Sequence, residues 1–97
     1  MAGKEAALQG KIIRWLKSKG FVVIKLSATP GVPSGIPDVL FLLDGGGWGF
    51  LEVKSGPNAR FQPLQKHWLA KLDDMFFARA VWPENWDFIK KEIENIV

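Results

Sequence analysis

Residues 36–54 read Ile36-Pro37-Asp38-Val39-Leu40-Phe41-Leu42-Leu43-Asp44-Gly45-Gly46-Gly47-Trp48-Gly49-Phe50-Leu51-Glu52-Val53-Lys54. Two apolar runs flank a glycine-rich connection, the pattern of two buried strands joined by a tight antiparallel hairpin. The first run, Asp38 to Leu43, is apolar on both faces and is expected in the middle of a sheet. In the second, Trp48 to Lys54, alternate side chains share a face. Glu52 and Lys54 therefore lie with Phe50, while Leu51 and Val53 turn the other way. Asp38 shares its face with Leu40 and Leu42, so regular pairing of the hairpin would bring Asp38 and Glu52 together at the open end of the sheet.

Outward from this hairpin the chain alternates between helix and strand patterns. Residues 4–18 carry Leu8, Ile12, Trp15 and Leu16 at helical spacing, and Gly20 stops the helix. Phe21 to Leu26 is strand-like. Residues 27–35 are rich in Ser, Thr, Pro and Gly and read as a mobile loop. Arg60 to Leu72 reads as a second amphipathic helix and Phe76 to Trp82 as a fourth strand. Pro83-Glu84-Asn85 opens a last helix reaching about Asn95. The expected order is αβββαβα, an α/β fold with a mixed central sheet flanked by helices.

The chain has 97 residues, 47% of them apolar, and reads as a single domain, 1–97. A chain this short buries a smaller share of its surface than a large domain, and five Trp and seven Phe are many for the length. Both facts favour a homodimer. With no cysteine, disulfides and thiolate-bound zinc are excluded, and a reducing, cytoplasmic setting fits. The N-terminus turns amphipathic at once, unlike a signal peptide, and no apolar run approaches the ~20 residues that span a bilayer. A soluble protein without membrane association is expected. The net charge of +3 permits nucleic-acid binding without demonstrating it.

Two carboxylates and an ammonium at the ends of neighbouring buried strands are costly to desolvate unless something pairs with them. A divalent cation would do so. Mg²⁺ takes hard oxygen ligands at ~2.0–2.1 Å, commonly one or two carboxylates, with water and phosphate completing the shell. Lys54 would supply a compact positive charge beside that site. Glu-x-Lys alone is a weak signal, and its plainer reading is a charge pair at a solvated strand end. The apolar context of Glu52 and Asp38 favours the metal reading.

Glu5, at ~100° per residue, lies within ~60° of the Leu8, Ile12 and Leu16 stripe, where a carboxylate is unexpected. It also sits in the first helical turn, where an acid favours the helix dipole and still reaches water. Gln65 falls among Phe61, Leu64, Trp68, Leu69 and Leu72 on an expected helical stripe, so its amide points towards the sheet. The Glu52/Lys54 face or a neighbouring carbonyl would satisfy it. His67 falls on the solvent side and is set aside as base or ligand. Gly45-Gly46-Gly47 lacks the Lys-Ser/Thr and following helix of a phosphate-binding loop.

The ordered set Glu5, Gly35-Ile36-Pro37-Asp38, Glu52-Val53-Lys54 and Gln65 with Trp68 resembles the VRR-NUC nucleases, a branch of the PD-(D/E)xK superfamily, over nearly the whole chain. The resemblance implies the restriction endonuclease-like αβββαβ core with an extra C-terminal helix. It implies Asp38, Glu52 and the main-chain carbonyl of Val53 as ligands of Mg²⁺ or Mn²⁺, Lys54 as the catalytic lysine, Gln65 as support for water or lysine, and Glu5 as a first-helix acid near the metal. Stand-alone members of this size look like phage or bacterial enzymes. The likeness implies a homodimeric endonuclease cutting branched DNA, such as Holliday junctions or flaps, in a bacterial or phage-infected cell and with a helicase as partner. Lys25, Arg60, Lys66 and the 27–35 loop are the candidates for DNA backbone contacts. Competing readings are a non-catalytic DNA-binding subunit and an RNA-processing nuclease. The segment Asp73-Asp74-Met75 departs from the family in lacking a glycine.

Overall fold

The computed structural model describes residues 3–26 and 30–97. The apolar stripe of the first segment becomes helix α1, Gly3–Ser18, with Leu8, Ile12 and Leu16 buried. Strand β1 is Val22–Lys25, β2 is Val39–Leu42 and β3 is Trp48–Val53. Helix α2, Gln65–Met75, leads to β4, Ala78–Val81, and a 3-10 turn at Pro83–Asn85 leads to α3, Trp86–Ile96. The helices and strands follow the expected αβββαβα order, and the sheet is mixed. It runs β1-β2-β3-β4, antiparallel between β1, β2 and β3 and parallel between β3 and β4.

The hairpin register pairs Val39 with Leu51 and Leu40 with Phe50. Extending it by one residue sets position 38 beside position 52 on one face of the sheet. The opposite face carries Val39, Phe41, Leu51 and Val53, and these join Leu8, Ile12, Leu16, Trp86, Ile89 and Ile93 in one core beneath α1 and α3. Phe41 is fully buried and pairs with Gly49, where a Cβ would come within 2.3 Å of the ring. Glycine at that position lets the ring lie across its neighbour strand. Losing a ring so enclosed costs about 3–5 kcal/mol.

Helix α2 lies on the other face, over β3 and β4. It leaves Val22, Ile24 and Leu42 exposed at 58%, 39% and 38%. Register pairs Val22 with Leu42, Ile24 with Leu40 and Leu42 with Trp48, so these side chains form one continuous apolar surface. Among the described residues no helix is long and apolar enough to cross a membrane.

The second helix differs from expectation. It begins at Gln65 rather than Arg60, because Leu64 takes the left-handed conformation, φ 71°, which no helix interior accommodates. Pro63 already biases Gln62 away from the helical region. At the far end α2 continues to Met75, and Phe76, φ −161°, closes it by donating its N–H to the Leu72 carbonyl. Asp73-Asp74-Met75, the segment that lacks a glycine and was expected to follow the helix, thus forms its last turn, where no glycine is required. The last helix is preceded by a 3-10 turn in which Asn85 Oδ1 accepts the Trp82 N–H at 2.8 Å.

Candidate active site

Pro37 is fully buried and brings the chain into β2 with Asp38 at its threshold. The Asp38 carbonyl accepts the Leu26 N–H at 2.7 Å, tying it to the end of β1. Its carboxylate turns towards β3, where Oδ2 accepts the Val53 N–H at 3.0 Å. Glu52 follows from the register. Only 3% of it is exposed, its Oε2 accepts from Gln65 Nε2 at 3.1 Å, and its Oε1 is buried without a hydrogen-bond partner.

Burial pushes the Glu52 carboxyl up to about 8, and the charge of the nearby Asp38 adds to the effect. Lys54, 3.7 Å from Oε2, opposes the rise, while Glu5 contributes to it. Two acids thus crowd a space that one cation has not neutralised.

Lys54 is 6% exposed, and its ammonium is held on two sides. Nζ donates to Gln65 Oε1 at 2.8 Å and to the Arg60 carbonyl at 2.9 Å. The same Oε1 accepts the Gln62 N–H at 2.6 Å. Gln65 therefore has its oxygen towards the lysine and its nitrogen towards Glu52, an orientation dictated by its partners. One amide sets the position of both charged groups.

The start of α2 is clamped from the 30s loop. Gly35 has φ 87°, and a Cβ there would lie 2.8 Å from the Leu64 carbonyl carbon, so only glycine allows this approach. Trp68 Nε1 donates to the Ser34 carbonyl at 3.0 Å. The loop expected to be mobile is thus anchored from residue 34; residues 27–29 lie outside the described residues.

A cavity of about 240 Å³ is lined by Glu5, Asp38, Glu52, Val53, Lys54, Arg60, Gln62 and Gln65. The fold brings together the acids, the lysine, the glutamine and Arg60 singled out from the sequence. Lys25 stands exposed at the end of β1, and Lys66 lies on α2; neither lines this cavity. His67 is exposed. Gln62 was missed, because its contribution comes from a main-chain N–H. Gln9, one turn beyond Glu5 on the same stripe, is 3% exposed with an unpartnered buried Nε2, but it does not line this cavity.

The donors suit a small hard cation. Among the described residues no three or more His, Cys, Asp or Glu side chains are grouped so as to hold a metal ion by themselves. What converges is a carboxylate pair with the Val53 main chain beside it, and Glu52 Oε1 awaits a partner. An incomplete, all-oxygen set leaves room for water and phosphate, as Mg²⁺ requires.

No family model matches the chain. A stretch of 86 residues, 86% of the chain, is 36% identical to a peptide chain release factor 2 of Sulfurovum sp. (strain NBC37-1). The chain spans only 23% of that relative's length. A solved VRR_NUC domain superposes with a TM-score of 0.73 at 28% identity, over 96% of this chain and 97% of that one. This correspondence runs end to end in both molecules, through the mixed sheet and the helices on its two faces. On it, the chain is similar to a VRR-NUC domain along its length and has the same restriction endonuclease-like fold.

Proposed function

We propose that this protein is a divalent-cation-dependent endonuclease that hydrolyses phosphodiester bonds in branched DNA. The observation that carries the reading is the Glu52 carboxyl: buried, pressed against Asp38, and left with one oxygen unpartnered beside a tethered lysine. A cation in this place would satisfy all three conditions. Asp38, Glu52 and the Val53 carbonyl are the groups to hold Mg²⁺ or Mn²⁺. When bound, such an ion supplies a Lewis acid at the phosphate and an acidified water.

The chain's own residues do the rest. Lys54 uses Gln65 and Arg60 as fixed acceptors, so its charge is already in place when negative charge grows on the phosphate oxygens. Nothing has to reorganise at that moment. Gln65 is a positioning residue, acting through Lys54 and Glu52. Glu5, at the rim, adds negative charge that favours a cation. Arg60, Lys66 and Lys25 offer contacts to the DNA backbone, which orient the substrate without reading sequence.

The same reading includes a homodimer. The apolar surface of Val22, Ile24, Leu42 and Trp48 suits a second copy, because two such faces stack at ~10 Å with side chains interleaved. A 97-residue chain gains from burying it.

The test is cleavage of a panel of flaps, forks, four-way junctions and plain duplex with Mg²⁺ or with EDTA, for the wild type and Lys54→Ala. Cutting of branched DNA that needs Mg²⁺ and Lys54 is expected. Metal-independent binding without cutting would favour a DNA-binding subunit instead. Cutting confined to RNA would reassign the substrate.

A further inference from the structure

A second cavity, about 520 Å³, is formed by residues 59–64 and Lys66, and it shares Arg60 and Gln62 with the catalytic cavity. The mechanism above makes no use of its apolar part. The cavity is an open groove, and its volume lies within the ~300–1,000 Å³ usual for small-molecule clefts. Two features of its wall stand out. Leu64 is 54% exposed although it is apolar, and its left-handed backbone, φ 71°, holds the side chain at the rim instead of folding it into α2. Glycine 35 and the Trp68–Ser34 bond secure that conformation from behind. Phe61 is half-buried, with Lys54 Nζ 4.6 Å and Lys66 Nζ 5.4 Å from its ring centroid.

We propose that this cavity is the subsite for one unpaired nucleotide next to the phosphate that is cut. The base lies on Phe61 and against Leu64, and Arg60 and Lys66 hold the flanking phosphates. The inference rests on the nuclease reading and gives it a basis for selectivity. In a perfect duplex both faces of a base are covered by its neighbours; only an unstacked base has a face free for an aromatic ring. Such stacking tolerates any base. A ring and an apolar rim beside the catalytic cavity therefore select DNA by its distortion and not by its sequence.

The experiment uses two DNAs that differ at one position. One carries 2-aminopurine unpaired beside the cut position; the other carries it paired within continuous duplex. Binding is read by its fluorescence with EDTA present, and cleavage is read separately with Mg²⁺. For the unpaired DNA, Phe61→Ala is expected to weaken binding by roughly 5- to 100-fold, and Phe61→Tyr to restore it. Binding of the paired DNA should stay within about twofold. Leu64→Gly, which keeps the left-handed turn but removes the side chain, should lower the preference for the unpaired DNA in a protein no less stable. Equal losses on both DNAs, or no loss on either, would overturn the subsite. If the fluorescence contrast appears but Mg²⁺ supports no cutting, the subsite stands and the nuclease reading falls.

Discussion

Replacing Glu52 by glutamine is expected to stabilise the metal-free protein, increasingly so as pH rises. The glutamine keeps the shape of the protonated acid, and its oxygen still accepts from Gln65. It cannot ionise. In the unfolded chain the Glu52 carboxyl titrates near 4.5, and in the fold at about 8. Between these values the unfolded chain releases the proton and the folded one retains it. Stability from this position is therefore complete below about pH 4.5 and is lost as pH rises through about 8. Each pKa unit corresponds to ~1.4 kcal/mol, which gives a ceiling of roughly 5 kcal/mol. Water reaching the open cavity lowers the expected difference to about 2–4 kcal/mol. Urea unfolding in EDTA across the range from about pH 5 to about pH 9 measures it. The two proteins should nearly coincide at the acid end and diverge towards the alkaline end. Saturating Mg²⁺ should then reverse the order, because only the wild type gains full binding energy. A difference that is flat with pH in EDTA would refute the reasoning, since Glu52 would then ionise normally and need no cation.

Other perturbations probe the neighbouring links. Gln65→Ala removes a hydrogen bond to each of two charged groups, at about 1.5–3 kcal/mol apiece; single-turnover cleavage should slow by roughly 10- to 100-fold, and a rate within twofold of wild type would show that Lys54 positions itself. Metal binding must displace the proton on Glu52, so calorimetry in buffers of different ionisation enthalpy should detect proton release near neutrality that fades above about pH 8. Leu42→Arg places a charge in the middle of the exposed apolar face; light scattering should report a monomer where the wild type is a dimer, and a monomeric wild type would remove that interface.

The strands and the meeting of Asp38 with Glu52 were legible because side chains in a strand alternate strictly, so two apolar runs and one hairpin predict which residues share a face. The start of α2 was not. Phe61 and Leu64 fall at helical spacing with Trp68, and periodicity carries no information about backbone torsion; the left-handed turn at Leu64 overrides it. The inward direction expected for Gln65 was thus reached partly through a helical turn that does not exist. Main-chain partners were also invisible: the Arg60 carbonyl on Lys54 and the Gln62 N–H on Gln65 depend on how residues 60–62 fold, not on their side chains. Lys25 and Lys66 were singled out by charge alone, and charge without a buried partner does not fix a position.

Diffraction from Mn²⁺-soaked crystals, collected at a wavelength where manganese scatters anomalously, addresses the carboxylate pair directly. A strong anomalous peak is expected between the Asp38 and Glu52 carboxylates, within bonding distance of the Val53 carbonyl, and it should vanish in Asp38→Asn crystals. A peak elsewhere on the molecule, with this position dry or occupied by water alone, would contradict the account.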